Sequence, residues 1–213
     1  ISLTQPQALN LTGITQDVDC YGDSTGSVNT SVSGGTPPYN YLWNNNDTLS
    51  SLSNLIAGTY SLTVTDSNNC IVTIPSIIIT QPDSLYIDLE TINDIKCFND
   101  STGSIELSIT GGVDPYLYAW SNGDTINPLD GLIHGAYRVT VTDSNNCILV
   151  DSFTVSQPMQ LTLKDSVYYE NHLGIINTEV SGGTQPYTYI WSNDETTSSI
   201  SGLVSGTYNL TVT

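Results

Sequence analysis

Four cysteines are the residues of this chain with the clearest chemical potential, and they stand at regular positions. Cys20 and Cys70 are separated by 50 residues, and the same separation recurs between Cys97 and Cys147. Of the three pairings that four cysteines allow, only one closes the same loop inside both repeats. The predicted disulfides are therefore Cys20–Cys70 and Cys97–Cys147. The alternative is buried free thiols, and zinc is disfavoured because no CxxC motif or histidine partner is present.

Acidic residues flank these cysteines in predicted turns, and clustered carboxylate oxygens are what Ca²⁺ requires. If the predicted disulfides form, each brings two acidic turns together. The candidate calcium ligands are Asp19, Asp23 and Asp66, and Asp94, Asp100 and Asp143. In the alternative, Asp66 and Asp143 cap the Asp-Ser-Asn-Asn turns through their own backbone, and the other carboxylates are solvated. Calcium is the one cofactor that the sequence suggests.

Aromatic residues alternate in three copies of a Tyr-x-Tyr-x-Trp motif, which places them on one side of a strand. They could form a platform on which sugars stack, or they could fill the core with the tryptophan innermost. The tryptophans are Trp43, Trp120 and Trp191. The candidate ligand-facing tyrosines are Tyr39, Tyr41, Tyr116, Tyr118, Tyr187 and Tyr189.

Catalysis finds no support in the residue pattern, so we expect no enzyme. His134 and His172 occupy unrelated places in the chain, and no serine has a recurrent histidine partner. The net charge of -18, with 3 basic residues against 21 acidic ones, disfavours nucleic acid and anionic lipid as partners. No apolar stretch approaches the length of a membrane-spanning helix.

These residues recur because the chain is repetitive. Gln-Pro stands at 5–6, 81–82 and 157–158, a period of 76 residues. The predicted organisation is the last strand of a preceding repeat (1–6), repeat 1 (7–82), repeat 2 (83–158) and a C-terminally incomplete repeat 3 (159–213). A tandem module of this kind is typical of a spacer or a binding array.

Each repeat carries alternating strand patterns separated by Gly, Pro, Asn and Asp turns, and no window has helical periodicity. The fold class predicted is all-β: tandem β-sandwich domains, immunoglobulin-like or PKD-like. Pro75 interrupts the closing strand and suits an edge or a bulge. One conflict stays open at this point. In immunoglobulin wiring the loop holding Cys20 and the turn holding Cys70 lie at opposite poles, so either the chain doubles back or the strand order differs.

Several motifs recur in the same order: SGG-x-x-PY-x-Y-x-W at 33–43, LIAGTYSLTVTDSNNC at 55–70, and a closing Gln-Pro. Together they resemble the SprB repeat of cell-surface gliding and adhesion proteins of the Bacteroidota. The resemblance implies type IX secretion, a cell-surface location and a role in adhesion and gliding, and it supplies no catalytic residues. Tyr168 replaces the first cysteine in repeat 3, so the sequence departs from the pattern there.

Two functions are compatible with these features. The first is a stalk of a secreted adhesin, in which each repeat contacts its neighbouring repeats and spaces a distal tip. The second is a binding array in which each repeat recognises an extracellular polysaccharide or a partner protein. The exposure of the three tryptophans distinguishes them: a row of exposed tryptophans favours binding, and buried tryptophans favour the stalk.

Overall fold

The computed structural model of the protein describes residues 5–213, and within this range the chain forms β-strands and turns without any helix. The all-β prediction is confirmed. Most of the segment 1–6, predicted to be a strand, lies outside the described residues. None of the described residues forms a helix long and apolar enough to cross a membrane.

The strands follow the three sequence repeats. Repeat 1 contains β1 (Asn10–Gln16), β2 (Gly26–Ser33), β3 (Asn40–Trp43), β4 (Leu52–Leu55), β5 (Gly58–Thr65) and β6 (Ile71–Ile79). Repeat 2 contains β7 (Tyr86–Asn93), β8 (Gly103–Thr110), β9 (Leu117–Trp120), β10 (Leu129–Leu132), β11 (Gly135–Thr142) and β12 (Ile148–Val155). Repeat 3 contains β13 (Thr162–Glu170), β14 (Leu173–Ser181), β15 (Tyr189–Trp191), β16 (Ser199–Leu203) and β17 (Leu210–Val212).

Each repeat pairs its strands into two sheets in the same order. The sheets are β1-β2-β4 and β3-β5-β6 in repeat 1, β10-β8-β7 and β12-β11-β9 in repeat 2, and β13-β14-β16 and β15-β17 in repeat 3. If β1 to β6 are read as strands A, B, C, E, F and G, the sheets are A-B-E and C-F-G. This is the immunoglobulin arrangement without strand D.

The core of repeat 1 lies between its two sheets. One sheet contributes Leu11, Val28, Leu52 and Leu55, and the other contributes Trp43, Leu62, Val64, Ile77 and Ile79. These side chains alternate with exposed ones along their strands, as a half-buried sheet requires. Pro75 lies on the edge strand β6, at a shift in register against β5, as predicted. In repeat 3 the buried cluster is smaller and consists of Trp191, Ile200 and Leu203.

A hydrogen-bonded tyrosine supports the immunoglobulin-like wiring. The hydroxyl of Tyr60 donates to the carbonyl of Ile56 at 3.0 Å, and Tyr137 donates to Ile133 at 2.9 Å. Such a tyrosine corner ties the start of strand F to the preceding loop. The Leu-x-x-Gly-x-Tyr motif therefore anchors the loop before β5 in repeat 1 and before β11 in repeat 2, the central strands of their sheets.

The described chain divides into two compact units, and the boundary between them runs through repeat 2. The first unit comprises 5–89, Ser108–Ala119 and Thr140–Val150. The second comprises Glu90–Leu107, Trp120–Val139 and Asp151–Thr213. The first unit thus holds all of repeat 1 and the parts of repeat 2 that border it, and the second holds the rest of repeat 2 and repeat 3. The predicted domain boundaries stay a prediction.

Candidate functional site

The three tryptophans are buried core residues. Trp43 is 1% exposed, Trp120 4% and Trp191 3%. Each indole N–H donates to a backbone carbonyl six residues later: Leu49 at 2.8 Å, Ile126 at 2.9 Å and Thr197 at 2.8 Å. A buried and hydrogen-bonded indole has no face left for a sugar, so the tryptophans do not form a stacking platform.

The six candidate tyrosines, which are the first and third residues of these motifs, are half-buried. Tyr39 donates its hydroxyl to the carbonyl of Gly34 at 2.7 Å, and Tyr116 donates to Gly111 at 2.6 Å. The hydroxyl of Tyr187 makes the equivalent bond to Gly182. Burial and the negative charge of Asp114 raise the pKa of Tyr116. Ligand binding by these tyrosines, and by Tyr41, Tyr118 and Tyr189 beside them, stays a prediction.

The glycine pair that precedes these tyrosines has a role that sequence reasoning missed. Gly34 has φ of 69°, and a Cβ added to it would lie 2.0 Å from the carbonyl oxygen of Ala8. The next residue, Gly35, donates its N–H to Gln7 at 2.8 Å. Gly112 donates to Asp83 in the same way at 2.9 Å. The pair therefore makes a turn and also lets the incoming linker pack directly against it.

The disulfide in the structure joins different partners from those predicted. Cys20 is bonded to Cys147, with a Cα–Cα distance of 5.7 Å, whereas Cys70 and Cys97 are exposed free thiols. The predicted pairs Cys20–Cys70 and Cys97–Cys147 are therefore wrong. The bond connects the β1–β2 loop of repeat 1 to the β11–β12 turn of repeat 2.

The immunoglobulin wiring explains this correction. Val18, close to Cys20, donates its N–H to Thr80 just beyond the end of β6. Cys70 immediately precedes the start of β6, which is 9 residues long. At about 3.3 Å a residue, roughly 25–30 Å separates the two ends, but a disulfide needs a Cα–Cα distance of about 4.4–6.8 Å. Cys20 can therefore reach only a cysteine outside its own repeat.

Hydrogen bonds surround the disulfide and connect three segments of the first unit, which we call the joint: 17–23, 80–85 and 143–148. The side-chain amide of Asn145 donates to the carbonyl of Asp19 at 2.8 Å. Gly22 donates its N–H to Oε1 of Gln81 at 2.9 Å, so the glutamine of the Gln-Pro linker is held by the preceding repeat. A cavity of about 370 Å³ beside Cys20 and Cys147 is lined by all three segments.

The acidic residues of these turns cap the backbone. Oδ1 of Asp66 accepts from the N–H groups of Asn68 at 2.9 Å and Cys70 at 2.8 Å, and Oδ2 accepts from Thr36 at 2.9 Å. Asp143 accepts three equivalent bonds. Both carboxylates are buried. This is the capping arrangement that the sequence offered as the alternative to calcium.

The candidate calcium ligands are not gathered as two sets. The two predicted sets depended on disulfides within each repeat. The structure instead bonds the turn of Asp19 and Asp23 to the turn of Asp143, so no disulfide joins Asp66 to Asp19. Cys97 is free, so no disulfide joins Asp143 to Asp94 and Asp100. Within 5–213, no three His, Cys, Asp or Glu residues are grouped as metal ligands would be. Calcium binding stays a prediction, which a melting curve with Ca²⁺ and with EDTA tests.

Hydrogen bonding at Asp66 predicts a dependence of stability on pH. Burial alone would raise the pKa of this carboxyl, but the N–H groups of Cys70, Thr36 and Asn68 outweigh it and hold the pKa below its ordinary value of 3.8. Since the folded-state pKa is lower than that of the unfolded chain, the carboxylate stabilises the fold above about pH 4, and this contribution is lost as the pH falls through the folded-state value.

We therefore expect Asp66→Asn to lower Tm at pH 7 by roughly 5 °C or more and to flatten the acid limb of the stability curve. Calorimetry between pH 2 and pH 7, on the order of one scan per pH unit, measures both effects. Asp23→Asn, which changes an exposed turn residue, is the matched control and should leave Tm at pH 7 unchanged. Equal Tm values for Asp66→Asn and the unmodified chain would contradict the capping role.

Comparison with protein families finds one match, repeated along the chain. The model of the SprB repeat matches residues 12–48, 89–125 and 174–196. Each matched segment includes the strand that leads into the Gly-Gly turn and the Tyr-x-Tyr-x-Trp motif. Comparison with curated proteins finds no match.

Solved structures with similarity to the chain are multidomain proteins. The three N-terminal domains of the highly immunogenic outer capsid protein (Hoc) of bacteriophage RB49 match 86% of this chain and 75% of theirs, at 15% identity and a TM-score of 0.45. Extracellular domains 3–5 of Drosophila OTK match 84% of this chain and 82% of theirs, at 10% identity and a TM-score of 0.28. Since both TM-scores are below 0.5, the fold assignment rests on the strand order of the chain itself.

Proposed function

Three segments of the chain match the SprB repeat, and on that basis we propose that the chain is a structural stalk segment of a large secreted cell-surface adhesin that takes part in surface attachment and gliding motility. The family is surface-associated, and a disulfide is typical of proteins that fold outside the cytoplasm. We propose an extracellular location at the cell surface and secretion by the type IX system. In this role the repeats carry no catalytic site.

Burial of the tryptophans is the observation that carries the proposal. The residues that could have formed an aromatic binding row fill the cores, with their indole N–H groups satisfied. On the opposite face of the same strands, Leu42 and Ile190 are exposed singly among polar neighbours. Such isolated apolar residues are ordinary on a protein surface and do not make a docking patch.

The linkers support a spacer role. The Gln-Pro linker after repeat 1 is held at both ends, by the bond from Gly22 to Gln81 and by the bond from Gly112 to Asp83. Proline further restricts the backbone of this linker. A disulfide then fastens one side of the joint to the other. A stalk under tension needs connections that resist opening, and this joint has covalent, hydrogen-bonded and steric restraints.

A glycan array probed with the full chain, with and without Ca²⁺, tests the proposal. We expect no glycan to bind above background in either condition, because the aromatic side chains of the motif lie in or against the core. Reproducible binding of one glycan class by the unmodified chain would overturn the stalk and favour the binding array.

A further inference from the structure

The disulfide between Cys20 and Cys147 runs in parallel with the polypeptide that connects these two residues. The cysteines are 127 positions apart in sequence, but their Cα atoms are only 5.7 Å apart. The chain between them contains β2 to β11 and the Gln-Pro linker that follows repeat 1. A force that enters the chain before Cys20 and leaves it after Cys147 therefore has two covalent routes, and the disulfide is by far the shorter one.

The shorter route carries the tension. A disulfide keeps its two Cα atoms within about 4.4–6.8 Å of each other, so the loop that it closes cannot be stretched while the bond is intact. Without the bond, the 127 steps of that loop would reach about 420–460 Å when fully extended. In the oxidised chain the residues from 21 to 146 therefore bear none of a load that is applied along the chain.

Two strands of repeats 1 and 2 stay on the loaded route. They are β1, which precedes Cys20, and β12, which follows Cys147, and each is an edge strand of its sheet. The loaded segments contribute few of the buried apolar side chains of these repeats, namely Leu11, Val18, Phe153 and Val155. The tryptophans of both cores, Trp43 and Trp120, lie inside the shielded loop.

Without the disulfide, the same load falls on hydrogen bonds. In repeat 1, Val18 donates its N–H to the carbonyl of Thr80 at 2.9 Å, and Thr80 donates its N–H to Oδ1 of Asp17 at 2.7 Å. In repeat 2, Ile95 donates to Ser156 at 2.9 Å. These bonds hold the segment after the first strand to the end of the last strand of each repeat. Each hydrogen bond contributes little net free energy, so the disulfide replaces weak restraints by a covalent one.

We propose that the Cys20–Cys147 disulfide is a tension bypass, which shields residues 21–146 from force along the chain and makes them extensible only when it is reduced. The inference rests on the proposed stalk function, in which force acts along the chain. An oxidised stalk segment is short and keeps its cores and its Gln-Pro linker unloaded. Reduction adds the length of the loop to the distance that the segment can span.

The bond is accessible to a small thiol reductant, because both cysteines are half-buried and line a cavity of about 370 Å³. One thiolate of dithiothreitol attacks a sulfur of the bond and forms a mixed disulfide, and the other cysteine leaves as a thiolate. The second thiolate of dithiothreitol then closes a cyclic disulfide and releases the first cysteine. The reductant loses two electrons and two protons, and the protein gains two thiols.

Force extension of single chains, tethered at both termini through peptide tags, tests the proposal. Thiol handles are avoided because Cys70 and Cys97 are free. The fully unfolded oxidised chain should have a contour length about 420–460 Å shorter than the reduced chain, which is the length of the loop. Dithiothreitol added under load should release this length. The contribution of repeat 3, which contains no cysteine, should be equal in both states.

Two variants make the outcome decisive. Cys147→Ser should reach the longer contour length without reductant, whereas Cys70→Ser, the matched control, should stay short until reductant is added. Equal contour lengths for the oxidised unmodified chain and Cys147→Ser would overturn the bypass. Shortening by about 165–180 Å per bond, the length of a 50-residue loop, would also overturn it, because it indicates bonds within the repeats.

Failure of the bypass is distinguishable from failure of the stalk. The burial of the tryptophans does not depend on the disulfide, so equal contour lengths would leave the stalk proposal in place. A hit in the glycan array would contradict the stalk and leave the measured contour lengths unchanged.

Discussion

Cys147→Ser is expected to remove the largest single restraint on the first unit and to lower its free energy of unfolding by about 4–5 kcal/mol. The bond closes a loop of 127 residues, and in the chain-entropy model a loop of that length stabilises the fold by about 5 kcal/mol. Serine keeps the size and the backbone N–H that binds Asp143, so the change isolates the covalent bond. Urea denaturation with and without a reducing agent measures the effect.

Three comparisons accompany this measurement. Cys20→Ser should reproduce Cys147→Ser, and the double variant should be no less stable than either one, because both remove the same bond. Cys70→Ser removes an exposed free thiol and should leave stability within about 0.5 kcal/mol of the unmodified chain. Destabilisation by Cys70→Ser as large as that by Cys20→Ser would contradict the pairing and restore a bond within repeat 1.

The pairing error has a specific origin in the repeats. The separation of 50 residues recurs inside two repeats, whereas the bond in the structure spans 127 residues and crosses from repeat 1 to repeat 2, so spacing favoured the wrong pairs. The strand order does distinguish the two possible partners of Cys20. Immunoglobulin wiring places the turn of Cys70 at the opposite end of β6 from the loop of Cys20, and this conflict was visible in the sequence. Topology was the stronger constraint.

Local patterns predicted the strands and the core well because both depend on alternation within a few residues. The strand around Trp43, the register shift at Pro75 and the capping role of Asp66 follow from side-chain type and position alone. Contacts between segments distant in sequence were not predictable in this way. Neither the bond from Asn145 to Asp19 nor the packing of Gly34 on Ala8 has a signal in its own segment.

Trp43→Ala is expected to cost about 3–5 kcal/mol and to leave repeat 1 close to unfolding. Trp43 is among the largest fully buried side chains and contacts both sheets through the core that it shares with Val28 and Leu62. Truncation removes that packing and leaves a cavity, and it also leaves the carbonyl of Leu49 without its indole donor. A domain of roughly 75 residues has only about 4–11 kcal/mol of stability to lose.

The variants Trp43→Phe and Leu42→Ala separate the parts of this effect. Phenylalanine retains most of the packing but lacks the N–H, so Trp43→Phe should cost less than Trp43→Ala, on the order of 1–3 kcal/mol. Leu42 precedes Trp43 in β3 and is 56% exposed, so its replacement by alanine should change stability by less than about 0.5 kcal/mol. Urea denaturation ranks the three variants.

If Trp43→Ala were as stable as Leu42→Ala, the indole would be free for a ligand and the case for a binding array would return. The expected ranking instead ties the repeated Tyr-x-Tyr-x-Trp motif to the stability of each repeat, as a stalk requires.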